Sequence, residues 1–363
     1  MLRLSTVFFF YFTQGVPVGL FFYAIPAWLA SNGASTVAVA GVVSASILPW
    51  TLKFFLGFIM DRYTYLPMGR RRIWIIGAQS VIVVMLLLAA ILSPGPEDIW
   101  LLSILGFLVN SGTAFQDVSI DSLAVDIMPE NERAKAAGVM FGGQVLGISA
   151  STFFGGQQIA IYGTVAGYLT AALIVTCVLI LGIVIREREG ERHFPWSDGA
   201  AHPLNVTLQV EAWKPLLINS WKAMLAPLSL VALIIFFVRT MPSGIAEAYH
   251  PGLATNIGGW TQTSYTNTIS AAQFAVGLFA LTLGGWAVAK IGAQRAALMM
   301  CLLVSFFAIG FGLARDYWSN ASLLVAYFWQ IEFLSTMLTV AFVPIAMRLC
   351  DPRVAATQFT LYM

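Results

Sequence analysis

The sequence predicts an all-α, polytopic membrane protein built as two six-helix bundles, the second truncated, with about ten complete spans. Three observations predict it. Apolar residues make up 59% of the chain and charged residues 10%, with a mean hydropathy of +0.81, whereas soluble domains carry about 25% charged residues. The apolar residues run unbroken for about twenty positions at a time, the length of a helix that crosses a bilayer, where a transmembrane barrel would show alternating segments of about ten. Lys and Arg gather in alternate connections, the pattern that orients helical membrane proteins.

The first apolar run starts within a few residues of Met1 and continues through Trp28 without a small-residue cleavage site, so 5–31 reads as a span and not as a leader. The connection SNGAS leads to a span at 37–60, and the segment GFIMDRYTYLPMGRRR (57–72) leads to the next at 73–93. That segment sets one carboxylate and four arginines between two bilayer-length runs, which confines its charge to one face of the membrane. SPGPED precedes a span at 99–124, followed by 134–157 and, after a turn near Tyr162, 162–185. REREGERHFPWSDGAAHPLNVTLQ is then the only long hydrophilic connection. Beyond it Trp213, Leu216, Leu217 and Trp221 recur at helical spacing beside Lys214 and Lys222, as in a short helix lying at the membrane interface. Spans at 223–247, 264–289, 296–314 and 321–347 follow, and the chain stops at Met363 within the opening turns of another. The expected domains are a first bundle at 1–187, a central linker with the interfacial helix at 188–222, and a second bundle at 223–363 lacking its last two helices.

With the Asp61 segment in the cytoplasm, Arg3, Arg62, Arg70, Arg71, Arg72, Arg133, Lys135, Arg186, Arg188, Arg192, Lys214, Lys222, Lys290, Arg295, Arg348 and Arg353 share its side. SNGAS, SPGPED, the Tyr162 turn and the stretch after Tyr249 carry no Lys or Arg, and Arg315 is the exception. The amino terminus and the linker are therefore expected in the cytoplasm. GGWAVAKIGAQR (284–295) falls between the second and third spans of the second half, where the first half has 57–72. Ala289 replaces the carboxylate, while Gly285, Lys290, Gly292 and Arg295 keep the glycine and basic character. The chain thus reads as two related halves.

Gly57, Asp61 and Arg62, then Gly69, Arg70 and Arg71, resemble the loop between helices two and three of the major facilitator superfamily, with YTYLPM lengthening the spacer. YFTQGVPVGLFFYAIPAWL (11–29), LPWTLKFFLGFIMDRY (48–63), QDVSIDSLAVD (116–126) and AATQF (355–359) together resemble its AmpG-type muropeptide permease branch, related to acetyl-CoA transporters. The resemblance implies alternating access between two bundles with a site near the midplane. It also implies proton-driven uptake of anhydro-muropeptides across a bacterial inner membrane, and an AATQF sequence that opens the eleventh helix. The implied partners are a small-molecule solute, protons and the bilayer, acting on a monomer without nucleic acid.

An ionisable group inside a span needs a partner, a wet cavity or neutralisation. Lys53 lies eight residues before Asp61, about 12 Å along the helix, and Asp117 nine before Asp126, about 13 Å. Asp117 and Asp121 share a helix face, so Lys53 can pair with one while the other takes a proton. This cluster is the candidate proton relay, with a plain structural ion pair as the competing reading. Asp61 and Asp126 read as interfacial charges that cap helix ends and pair with nearby arginines. Glu332 is a further protonatable candidate, and Arg239 a candidate for an anionic group of the solute, unless it pairs with Glu332 or Glu247. Tyr11, Gln14, Asn110, Gln116 and Gln330 are candidates for sugar or peptide hydrogen bonds, or else join helices.

Gly15, Pro17 and Gly19 either break the first span or let it pack closely. Gly138 with Gly142, and Gly143 with Gly147, make two four-residue steps suited to close helix approach. Cys177, Cys301 and Cys350 fall in separate spans, so no disulfide framework, metal site or cofactor is expected. No nucleophile and base are recognisable together, which disfavours an enzyme. A carrier of another anionic, acyl-CoA-like solute and a non-transporting receptor or scaffold remain as alternatives.

Overall fold

In hydrocarbon every backbone polar group must be paired within the chain, and the computed structural model meets that demand with helices. It describes residues 2–209, 212–237, 250 and 253–362, and among these there is no strand. The helices are α1 (Arg3–Leu29), α2 (Thr36–Arg62), α3 (Arg72–Leu92), α4 (Ile99–Ile127), α5 (Glu130–Tyr162) and α6 (Thr164–Val184). After the linker come α7 (Trp213–Leu225), α8 (Pro227–Phe237), α9 (Asn267–Ile291), α10 (Ala293–Leu313), α11 (Ala321–Leu349) and α12 (Ala355–Tyr362). Among the described residues eight are single helices long and apolar enough to cross a membrane, and up to ten result when the bent α2 and the α7–α8 pair each count as one.

Local chemistry sets the ends. Ser35 Oγ accepts from the Ala38 amide at 3.2 Å to start α2, and Asn320 Oδ1 accepts from the Ser322 and Leu323 amides to start α11. The structure shifts several expected boundaries by a few residues, as in α5, expected at 134–157 and found at Glu130–Tyr162. The seventh span, expected from 223, is preceded by a 73° bend, and α8 begins at Pro227. Ala226 is extended (φ −56°, ψ 135°) because the residue before a proline is disfavoured in the helical region. The short helix expected before that span is α7. The helix α2 is also bent, by 49° between Val37–Lys53 and Phe55–Arg62.

Helix α1 remains continuous through Gly15, Pro17 and Gly19, with a π-helical turn at Leu20–Ala24. These glycines serve packing. A Cβ on Gly15 would lie 2.2 Å from Gln144 O, and one on Gly19 2.5 Å from Ile148 O. The two glycine steps of α5 face opposite ways. Gly143 and Gly147 lie against Phe8 and Phe12 of α1, whereas Gly138 and Gly142 lie against Gly285 and Leu281 in α9 and the π-helical turn within it. Within the first six helices α2 packs on α4 and α3 on α4 and α6, while α12 packs back on α2 and α4.

One buried apolar cluster crosses the linker, joining Tyr11, Ile120 and Met140 to Ala280, Val340 and Phe359. A second, with Phe21, Ile82, Leu105 and Tyr168, stays within α1–α6. Outward faces are apolar and exposed, as on α10 with Leu302, Phe306 and Leu313, where lipid is the solvent.

The α1–α5 contact generates a test. A Cβ on Gly147 would lie 2.0 Å from Phe12 O, a backbone atom that cannot swing away. Gly147→Val is expected to cost at least the 1–3 kcal/mol typical of overpacking, read as a lower thermal midpoint in detergent, while Gly156→Ala, where a Cβ meets open space, leaves it unchanged.

Candidate functional site

Two charged clusters engage carboxylates or the lysine of α2 and α4, about 12 to 13 Å apart along each helix. In the mid-helix cluster Lys53 Nζ donates to Asp117 Oδ2 at 2.8 Å. Gln14 Nε2 donates to the other oxygen of Asp117, and Tyr11 OH donates to Asp121. Tyr11, Gln14, Asp117 and Asp121 are all buried. Asp121 has no cation within ion-pair distance among the described residues, so two carboxylates face one ammonium. Gln116 Nε2 reaches Phe10 O at 2.9 Å and Thr13 Oγ1 at 3.1 Å, fixing α4 to α1. Asn110 Oδ1 accepts from Trp50 Nε1 at 3.3 Å, and the Trp50 ring lies beneath Lys53 Nζ at 5.7 Å. Gln14 Oε1 and Gln116 Oε1 are buried acceptors without a donor among the described residues. Leaving such a group unpaired costs about 1–3 kcal/mol, so water or a solute donor is favoured there.

The second cluster sits at the linker end. Arg71 bridges Asp61 Oδ1 at 2.8 Å and Asp126 Oδ2 at 3.1 Å, and Arg70 approaches the same two oxygens at 3.6 Å. The remaining oxygen of Asp61 accepts from Thr357 N at 2.9 Å and Thr357 Oγ1 at 3.0 Å, at the start of α12. Arg70 in turn donates to Pro352 O at 2.8 Å and Arg353 O at 2.7 Å. Asp61 therefore caps a helix from the far side of the linker, where amide groups and helix dipole favour an anion. A Cβ on Gly57 would lie 2.6 Å from Thr357 Cα, so only glycine allows α2 this close. Burial and the Arg71 charge push Arg70 down to about 10, against the pull of Asp126 and Asp61, which leaves it cationic at neutral pH.

The lengthened spacer carries the linker. Pro67 O accepts from Arg192 N at 2.7 Å, Tyr65 OH lies 3.3 Å from Arg192 Nη1, and Thr64 Oγ1 donates to Arg70 O at 2.8 Å. Gly69, at φ +104°, turns beside Glu187, whose Oε2 accepts from the Arg71 and Arg72 amides at 2.8 and 3.1 Å and so caps α3. Glu191 is buried alongside, bonded to Asn205 Nδ2 at 2.7 Å and Arg188 N at 2.9 Å. Burial first, and the Glu187 carboxylate second, push Glu191 up to about 7. Arg72 Nε donates to Gly182 O at 3.0 Å and Arg72 Nη2 to His193 O at 3.0 Å, tying α6 to the linker.

Sequence reasoning did not foresee Glu187, Glu191, Asn205 and Thr357, nor the role of Arg72. Thr357 was visible only as part of AATQF, and the others only as linker polarity. Arg62 lies at the end of α2, its guanidinium over the Tyr63 ring at 5.0 Å. In the second copy of the loop motif Gly285 packs on Ala134 and Lys135, Gly292 makes the turn into α10 at φ +91°, Lys290 lies over the Trp286 ring and Arg295 is exposed. Gln330 and Glu332 are half-buried on α11, and Arg239 and Glu247 lie outside the described residues. A cavity of about 630 Å³ opens at the linker end among Arg3, Phe10, Ile75, Leu123, Arg186 and Arg188.

Comparison with known proteins places this geometry. A sequence model of the Major Facilitator Superfamily matches residues 7–363. An anhydromuropeptide permease of Escherichia coli (strain K12) is 25% identical over 368 residues, covering 96% of this chain and 68% of that protein. A putative transporter, AmpG 4, of Rickettsia felis is 24% identical, covering 99% of this chain and 85% of its own length. Among solved structures, the transporter FucP in its outward conformation superposes with a TM-score of 0.66 at 14% identity, over 100% of this chain and 88% of that one. The human organic anion transporter MFSD10 gives a TM-score of 0.63 at 12% identity, over 99% of this chain and 89% of that one. At these identities the two structures speak to the fold alone.

Two outcomes follow from the linker-end cluster. Asp61→Asn leaves two buried guanidinium groups against one carboxylate, a loss of about 3–5 kcal/mol to the closed contact, so exchange of the Thr357 amide with deuterium should speed up at least a hundredfold. Glu191 holds its proton in the folded linker up to about pH 7, whereas an unfolded glutamate loses it near 4.3. Its contribution is full below the unfolded value and lost as pH rises through about 7. Proteolysis of residues 188–202 should therefore accelerate between pH 6 and pH 8, and Glu191→Gln should flatten that rise.

Proposed function

The chain belongs to the Major Facilitator Superfamily, and from that premise we propose that it is a proton-coupled importer of an amino-sugar-containing, anhydro-muropeptide-like solute, working by alternating access. The similarity to the anhydromuropeptide permease of Escherichia coli supports the solute class. The mid-helix cluster supports the coupling. Two buried carboxylates facing one ammonium carry one uncompensated negative charge, and a proton on Asp121 neutralises it. Gain or loss of that proton alters the bonds of Tyr11 and, through Asp117, of Gln14 and Lys53, which joins α1, α2 and α4 in one titrating unit. Tyr11, Gln14, Asn110 and Gln116 then offer hydrogen-bonding groups to sugar hydroxyls and peptide amides, and Arg239 and Glu332 supply charge from the second bundle.

In this reading the linker-end cluster is the gate. It holds the cytoplasmic side shut while Asp61 caps α12, and it opens when the bundles rock apart. The division into a first bundle at 1–187, a linker at 188–222 and a second bundle from 223 onward goes with it, as does an inner-membrane location with amino terminus and linker in the cytoplasm. A receptor or scaffold would accumulate nothing.

Uptake of a labelled anhydro-muropeptide into proteoliposomes with a pH gradient tests the proposal, and an uncoupler should abolish accumulation. Asp117→Asn and Asp121→Asn should each abolish gradient-driven accumulation while exchange between preloaded and external solute persists. Unchanged accumulation in both variants would remove the pair from the mechanism.

A further inference from the structure

At about 100° per residue, α7 divides into two faces. Leu216 and Ser220 point into the protein and are buried. Trp213, Leu217, Ile218, Trp221 and Leu225 form a broad exposed apolar face, with Trp221 62% exposed. Lys214 and Lys222 are exposed in and beside that face, and the helix has no acidic residue. Its axis meets α8 at 73°, and a spanning helix tilts by about 20° from the bilayer normal, which lays α7 close to the membrane plane. Large apolar side chains beside basic ones, on a helix in that orientation, suit the boundary between headgroups and acyl chains.

We propose that α7 is a docking surface for an anionic lipid leaflet and that lipid bound there holds the linker-end contact closed. Charge complementarity selects the lipid, since α7 carries two exposed lysines and no acidic residue of its own, against the carboxylate of Asp351 in the cleft beside Lys222, and so favours anionic over zwitterionic headgroups. The coupling runs through Leu216. This side chain packs with Val354, Phe58 and Ala223, so it touches α2 on one side and the turn Pro352–Val354 on the other. That turn presents the carbonyls of Pro352 and Arg353 to Arg70. On the α2 side the Trp213 ring meets Tyr63 edge-on at 5.9 Å, and Gln209 Nε2 bonds Arg62 O at 2.9 Å. Leu216 keeps both neighbours only while α2 and the turn stay together. A lipid that binds α7 in this position favours the closed state by its difference in affinity for the two positions. The inference does not depend on which solute is carried.

Hydrogen exchange in lipid nanodiscs tests it, with phosphatidylcholine alone compared with a mixture containing phosphatidylglycerol. A basic side chain near an anionic leaflet contributes about a fivefold preference, so two set a ceiling of roughly 30-fold. In the anionic discs amides within 216–225 and 355–358 should slow together, by several-fold and up to that ceiling. The double variant Lys214→Gln with Lys222→Gln should lose the slowing in both segments, and Arg186→Gln, an exposed base at the same end outside α7, should keep it. Equal exchange in the two lipids, full slowing in the double variant, or slowing of α7 without 355–358 would each overturn the proposal.

Discussion

The structure depends on four charged side chains placed almost out of reach of solvent. Asp61, Arg70 and Arg71 have no exposed side-chain surface, and Asp126 has 1%. An isolated buried ion costs several kcal/mol, and a pair repays that only with good geometry and further hydrogen bonds. Here the charges sum to zero and each guanidinium faces both carboxylates. The cluster is still incomplete within α1–α6. Part of its leftover bonding capacity, one oxygen of Asp61 and two nitrogens of Arg70, is met by Thr357 and by the carbonyls of Pro352 and Arg353, while Arg70 Nε, Arg71 Nη1 and Asp126 Oδ1 have no hydrogen-bond partner among the described residues. Pulling α12 away strands buried charge, which makes the contact strong when closed and lost as a unit when it opens.

The same helices carry the second cluster. Lys53 and Asp61 sit on α2, and Asp117 and Asp126 sit on α4, each pair about 12 to 13 Å apart along a helix. A packed helix transmits displacement because interiors are dense and yield little. Any rearrangement of Lys53, Asp117 and Asp121 that shifts α2 against α4 therefore changes the distance between Asp61 and Asp126, which Arg71 spans. The 49° bend between Lys53 and Phe55 falls between the two clusters.

The helical, membrane-spanning fold was legible because apolar runs and basic asymmetry are written continuously along the chain. The mid-helix cluster was legible in part: spacing put Lys53 and Asp117 at one depth and Asp121 on the same face as Asp117, but no spacing on α2 or α4 tells which aspartate takes the lysine or that Tyr11 holds the other. Tyr11 and Gln14 were read as solute contacts or as joins between helices, and the structure gives their hydrogen bonds to the aspartates of α4. The linker-end contact was the least legible. Asp61 and Thr357 lie 296 residues apart and meet only once the helices are assembled. Polar residues of a linker look alike in sequence, so the capping of α3 by Glu187 and the burial of Glu191 left no periodic signal.

Another contact across the linker is of the opposite kind. Gly138 and Gly142 on α5 meet Gly285, Leu281 and Gly277 at separations no Cβ would permit, and Ser149 Oγ adds one bond to Ser270 O at 3.1 Å. Backbones in direct contact gain dispersion energy over a wide area without side chains that interlock in one register. Such a surface changes little in energy when one helix rolls on the other. A charged contact has no such tolerance, because a displacement of a few ångströms turns a paired ion into an unpaired one. In the alternating-access reading, a rolling seam along α5 and α9 with an all-or-none contact at the linker end would make two discrete arrangements lower in free energy than the path between them. A protein that must expose one site to two sides in turn requires that property.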